Sequence, residues 1–563
     1  MSMGEMREEE SKGDKDGLQS GGGWATLCGM NELEHRGRME HHHHRRGPQT
    51  ARMGMQLPLY RWMGWLSVLA FAIGLGVMYF LEGFIGIPAP LAWAGIVILV
   101  TVGTLLLNRP KWLLWTMVGY FMLLPGNRFL GIIQLPLPGF LDELLFVPMV
   151  AVIVMYGIEG KLVRGGGWFP LVFGVVILVS WYVNGKSYAF PTIRVALVLF
   201  KPFIVWYYCR LIRPMRTLRE IRYFLWFYII YAAIQFPFNV LWTGSVKPQY
   251  GFAADRCTGL CGPGSHGAHL IGYISLCALF MAAGWMMGGG FKKLGFRKKV
   301  LAAAVFLVVA YDMVFMTGTK HILFMGPIAF VPFLLHPRIP MRLRASVVGL
   351  GVLVVLMGSV YLSAGTTRLA AIWETFVDSP KGEMYRAVTK DFHFLVPYPL
   401  LGAGPAKFAS DQAVRIRTPL ARRYILPYMD EERRRAYYGL GGTTKAASML
   451  GSTNADCLAV VSETGWLGGA CYYLFYGLIV WGFWRRSMQT DNLELSGQLM
   501  ALTSCLLFCV MLTFIYHSFN IQMLSYPLWI LAGTLWDAKD EELEGTKIPA
   551  AEGGALEGEV HAV

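Results

Sequence analysis

The run LIGYISLCALFMAAGWMM, residues 270–287, contains no Asp, Glu, Lys or Arg, and GGGFKKLGFRKK, residues 288–299, follows it at once. A helix rises 1.5 Å per residue, so a run of this length nearly crosses a hydrocarbon layer of about 30 Å. A dense basic loop directly after it is the mark of a helix that stops at a membrane surface. This pairing recurs along the chain. Over 563 residues, hydrophobic types make up 55% and charged types 15%, with a mean hydropathy of +0.45. No soluble core of this size needs so much apolar sequence. The expected fold is an all-α integral membrane protein of about 12 to 14 transmembrane helices.

About fourteen apolar runs approach spanning length, centred near 71, 98, 118, 149, 176, 203, 232, 278, 308, 328, 354, 474, 508 and 528. Those near 118 and 528 are short. With fourteen spans, the basic clusters at 109–111, 161–164, 210–222, 291–299, 337–344 and 485–486 all fall on one side. The positive-inside rule makes that side the cytoplasm. Both termini are then cytoplasmic. Residues 1–58 read as a disordered tail, 59–363 as helices 1 to 11, 364–462 as one large extracytoplasmic loop, 463–536 as helices 12 to 14, and 537–563 as a loose acidic tail. The leading segment is polar, so the first apolar span is expected to serve as an uncleaved signal.

Few of the polar motifs point to metal or redox chemistry. His41 to His44 read as part of a solvated tail rather than a metal site. Among nine cysteines, Cys257 and Cys261 form a CxxxC that suits either a disulfide or two small residues. The stretch PYPLLGAGPAKF, 397–408, sets Gly402, Gly404 and Lys407 in a polar segment and suggests a phosphate cradle. Its spacing is not that of a P-loop, and a bare GxG more often marks a turn. The surrounding loop is basic despite facing outward, with Arg386, Lys390, Arg422, Arg423 and Arg433 to Arg435 among its cations. As a set they suit an anionic ligand, because a guanidinium presents a rigid fork of donors to phosphate oxygens. The plain alternative is a solvated cap whose charges pair with one another.

Four segments, RCTGLCGPGSHGAHLIGYISL (256–276), MTGTKHILFMGP (316–327), MYRAVTKDFHFLVPYPLLGAGPAKF (384–408) and STNADCLAVVSETGWLGG (452–469), stand in a particular order around the large loop. In that order the chain resembles the O-antigen ligase and polymerase family of polytopic membrane glycosyltransferases, over about residues 190–535. The resemblance implies transfer of a glycan from an undecaprenyl-pyrophosphate-linked donor at the outer face of the cytoplasmic membrane. The acceptor would be lipid A core, another lipid-linked glycan or a protein hydroxyl. Because the donor carries its own leaving group, no cofactor, ATP or metal is implied, and no nucleic acid.

By the same resemblance Arg386, Arg256 and Glu463 would act in catalysis, and Arg256, Lys320, Arg386 and Lys407 would hold the donor pyrophosphate. Gly402, Gly404 and Asn454 would shape the site. Lys320 stands where relatives carry arginine, which keeps the charge but loses the fork. Thr453 stands where the family often has histidine, and a threonine cannot act as a base near neutral pH. For each charged residue the alternative is an anchor at a helix end.

Asp142, Glu143, Arg194, Lys201 and Asp312 fall in or beside apolar runs, where ionisable groups are by default paired or functional. They motivate a second reading, a transporter or flippase for a lipid-linked glycan precursor. No internal hydropathy repeat accompanies them.

Overall fold

The computed structural model describes residues 110–124, 128–129, 133–134, 146–158, 160, 168–185, 189–245, 258–261, 268–317, 320–339, 341, 344, 380–410, 412–413, 416, 418–424, 455–515 and 522–543. The apolar runs near 71, 98 and 354, most of both tails, His41 to His44, Asp142, Glu143, Cys257 and Arg433 to Arg435 lie outside them. Each remaining run coincides with a helix. These are α1 (Pro110–Leu123), α2 (Phe146–Ile158), α3 (Trp168–Val183), α4 (Ala189–Ile212), α5 (Leu218–Ser245), α6 (Ala268–Met287), α7 (Phe296–Tyr311), α8 (Lys320–Leu335), α12 (Asp456–Gln489), α13 (Leu493–Leu512) and α14 (Gln522–Trp536). The segment between α8 and α12 contributes the short helices α9 (Pro380–Thr389), α10 (Phe392–Leu395) and α11 (Pro419–Tyr424), and α15 (Asp540–Leu543) closes the described chain. Among the described residues one antiparallel pair of two-residue strands, β1 (Arg128–Phe129) and β2 (Ile133–Gln134), accompanies the helices.

Among the described residues, five helical stretches are long and apolar enough to cross a membrane: Pro191–Ile212, Leu218–Trp242, His269–Met287, Asp456–Gln489 and Leu493–Leu512. Asn492 sets where α13 starts, since its side chain accepts the backbone N–H groups of Glu494 and Leu495. That cap places the helix somewhat before the run centred near 508.

Helices α6 and α13 touch backbone to backbone. A Cβ on Gly284 would lie 2.2 Å from the carbonyl oxygen of Gly497, so only glycine permits the approach. On the faces turned away from such contacts, α3 exposes Leu171, Val175, Leu178 and Tyr182, and α12 exposes Leu467, Leu474, Leu478 and Trp481. Spacings of three, four and seven make each set one continuous apolar stripe. In a spanning helix such a stripe faces lipid.

The basic loops are joined to one another at one end of the bundle. Arg210 pairs with Asp537 at 2.7 Å, Arg222 and Lys293 with Glu494, Arg338 with Asp491, and Arg486 with Asp540. Tyr208 adds a 2.8 Å bond to the Pro110 carbonyl. Residues 537–543, expected to open a loose tail, are therefore tied down. Arg486 also donates to the Leu535 and Ala538 carbonyls, and Thr490 bonds Asp540.

Candidate functional site

The PYPLLGAGPAKF stretch folds as a turn held from inside by one carboxylate. Glu463 is completely buried and accepts backbone N–H bonds from Ala406 at 2.7 Å, Ser410 at 2.8 Å and Phe408 at 3.2 Å. A loop cannot satisfy buried amides within itself as a helix does, and a carboxylate offers about four acceptor positions to them. Backbone pairing continues on both sides, with Ala403 N–H on the Ser462 carbonyl and Gly404 N–H on the Glu463 carbonyl. Trp466 and Leu467 N–H groups return bonds to the carbonyls of Pro399 and Leu400.

These bonds need two glycines at close approach. Gly402 and Gly465 both have φ of 74°, and Gly465 breaks α12 into a short segment before it and a long one after. Gly404, at φ 98°, lets the chain turn back over Asn184.

Helix α3 supports the turn from below. Ser180 donates to the Leu401 carbonyl and lies 3.0 Å from the Glu463 carbonyl, while Lys407 Nζ donates to the carbonyl of Asn184. Burial lowers the Lys407 pKa from its ordinary value. Ser180 and Asn184 were not singled out by their sequence. A serine within an apolar run carries no signal until its partner is known.

Above the turn, a small core of Ala387, Val388, Phe392, Val396, Phe408 and Ala421 joins α9, α10 and α11. Tyr385 fixes α9 to the end of α13 through its hydroxyl on the Phe514 carbonyl, and burial, then the neighbouring Cys457, raises its pKa. With this face packed, Arg386 and Lys390 of the α9 end and Arg422 and Arg423 of α11 are exposed. The arrangement presents several cations on rigid short helices, which is chemically suited to an anion.

The expected site residues divide accordingly. Arg386, Lys407, Gly402, Gly404 and Glu463 belong to one structural unit. Glu463 is enclosed by the backbone it binds, so its geometry is that of a positioning group rather than one that meets substrate. Lys320 opens α8. Arg256, Thr453 and Asn454 lie outside the described residues.

The segment after Arg256 does have a described anchor. Thr258, Gly259, Leu260 and Cys261 are buried in a short turn against α5, where Gly259 N–H donates to Asn239 and Leu260 N–H to Gln235. Asn239 in turn donates to Asp312 at 2.6 Å, in a π-helical turn spanning Asp312–Met316 at the end of α7. The second Asp312 oxygen is buried without a hydrogen-bond partner among the described residues. Among those residues no group of three or more His, Cys, Asp or Glu side chains is placed to hold a metal ion.

No protein-family model, curated protein or solved structure matches this chain.

Proposed function

We propose that this protein is a membrane glycosyltransferase that moves a glycan from an undecaprenyl-pyrophosphate-linked donor to an acceptor, as a polysaccharide polymerase or an O-antigen ligase does. The reaction is placed at the outer face of the cell membrane, with the ion-paired basic loops and both termini inside. One observation carries the reading: the Glu463-held turn seats the exposed cations of α9 and α11 at a fixed place beside the end of an apolar helix. A lipid pyrophosphate would arrive there. Arg386 would clamp its oxygens through two parallel charge-assisted bonds and oppose the charge that grows as the glycosidic bond breaks. Lys407 retains N–H donors beyond the one on Asn184, since an ammonium has three. An acceptor hydroxyl attacks the anomeric carbon, the bond from that carbon to the pyrophosphate oxygen breaks, and the hydroxyl proton passes to the departing lipid pyrophosphate or to water.

Arg386→Ala is expected to abolish glycan transfer, a loss of about a hundredfold or more, with normal protein in the membrane. Arg386→Lys should recover part of it, because the charge returns without the fork. Arg338→Ala, at the ion-paired end with only an exposed partner in Asp491, should be nearly silent. Glycan profiling of a deletion strain separates the reaction types. Short capped units mark a polymerase, and stranded full-length lipid-linked chains mark a ligase. Full activity in Arg386→Ala would remove the reading.

The transporter or flippase reading rests on Asp312, a buried carboxyl with one oxygen unpartnered among the described residues. Precursor stranded on the cytoplasmic leaflet would favour it.

A further inference from the structure

The turn that holds the candidate site exposes large apolar side chains where a water-facing loop would not. Phe394 is 81% exposed and Leu400 67%, with Tyr398 and Trp466 about half exposed beside them. Their neighbours Phe392 and Val396 are buried, so the exposed set is a definite face and not an unfolded end. Contiguous apolar patches of this kind mark contact with another apolar phase.

What covers the face follows from its continuity with the exposed apolar stripes of α3 and α12. Leu467 begins the exposed stripe of α12, and its N–H donates to the Leu400 carbonyl at 3.1 Å, which sets the exposed Leu400 at the start of that stripe. Trp466 is joined in the same way to Pro399 at 3.2 Å. On the other side Ser180 and Asn184, at the last turn of α3, bind Leu401 and Lys407. The exposed stripe of α3 ends at Tyr182, between them. Both stripes therefore end at the level of the turn. Tyr and Trp gather at this depth because one part of each ring system is apolar and another part polar. Lys390 and His393, both exposed, precede Phe394 in the chain.

We propose that the turn is an interfacial wedge, with Phe394, Tyr398, Leu400 and Trp466 seated among the phospholipids of the leaflet at that end of the bundle. The wedge rests on the membrane fold alone. On the function proposed above it has a further consequence, because it would hold α9 and its cations at headgroup height, where a lipid-borne diphosphate lies.

Labelling the full chain tests this in vesicles of neutral phospholipid. A polarity-sensitive fluorophore is attached through Leu400→Cys, Phe394→Cys, Tyr182→Cys or Arg422→Cys, with the unsubstituted chain as the blank for native thiols. At Leu400 and Phe394 the emission should shift to the blue and be quenched by lipids carrying a nitroxide near the headgroup, as at Tyr182, and resist aqueous iodide. The Arg422 label should show the reverse. Iodide quenching at both Leu400 and Phe394 equal to that at Arg422 overturns the wedge. So does screening of both from lipid and iodide alike, which would mean that protein covers the face. The Phe394 N–H bonds the Asp391 carbonyl within its own segment, so its variant stands if Leu400→Cys fails to fold. Glycan transfer is not read in this experiment, and its loss in Arg386→Ala leaves the labels unchanged.

Discussion

Gly402 and Gly465 meet backbone to backbone: each has φ of 74°, and a Cβ on Gly402 would lie 2.4 Å from the Gly465 nitrogen. A side chain at either position meets two penalties, the left-handed backbone at about 1–2 kcal/mol and a collision with main chain that cannot swing away. Gly402→Ala and Gly465→Ala should each lower the thermal midpoint in detergent and lose activity together. Gly477→Ala, on a helix with open space at its Cβ, should be neutral or slightly stabilising. Thermal unfolding followed by size exclusion checks the contrast.

Glu463 separates positioning from chemistry. Glu463→Gln keeps one acceptor but turns an NH₂ group toward N–H donors, which should cost about 1–3 kcal/mol through unsatisfied amides. Stability and activity should fall in step, and Glu463→Ala should be worse on both. A Glu463→Gln protein with unchanged thermal midpoint and no activity would instead give this carboxylate a direct part in the reaction.

At the opposite end, Arg210 is 1% exposed while its partner Asp537 is more open, and the guanidinium also lies 4.5 Å from the Trp206 ring centroid. The two deletions are therefore unequal. Asp537→Ala leaves a buried guanidinium without its carboxylate and should cost about 3 kcal/mol or more. Arg210→Met leaves an aspartate that water can reach and fills the space with apolar atoms, so it should cost less. Denaturation midpoints of the two variants check the order.

His336 predicts a pH effect at the same end. It is buried between the Ser487 carbonyl at 3.2 Å and the Ser496 hydroxyl at 3.1 Å, and burial, with Arg338 and Arg344 nearby, lowers its pKa from 6.5. The bond to Ser487 opposes that shift without cancelling it. The unfolded chain thus takes up the proton first on acidification. Stability from this group is fully present above about pH 6.5 and is lost as pH falls through the folded pKa. Thermal midpoints measured through that window should fall for the unsubstituted protein and fall less for His336→Gln.

Hydropathy alone was enough to find the long apolar helices among the described residues, because crossing or burial in an apolar layer depends on a local sum over side chains. The run at 270–287 and its basic successor are legible without any partner. Turn residues were legible too, since Gly402 and Gly404 have few other uses in PYPLLGAGPAKF. The resemblance drew attention to Glu463 but not to what it touches. Its partners are backbone N–H groups of Ala406, Phe408 and Ser410, and every residue but proline has one. Nothing in their side chains announces the bond. Ser180 under Leu401 and Arg210 against Asp537 are alike in this respect, with sequence separations of 221 and 327 between the partners. Sequence determined which segments leave water. Only the tertiary structure decided which buried polar groups satisfy one another, because that pairing depends on distances the folded chain alone creates.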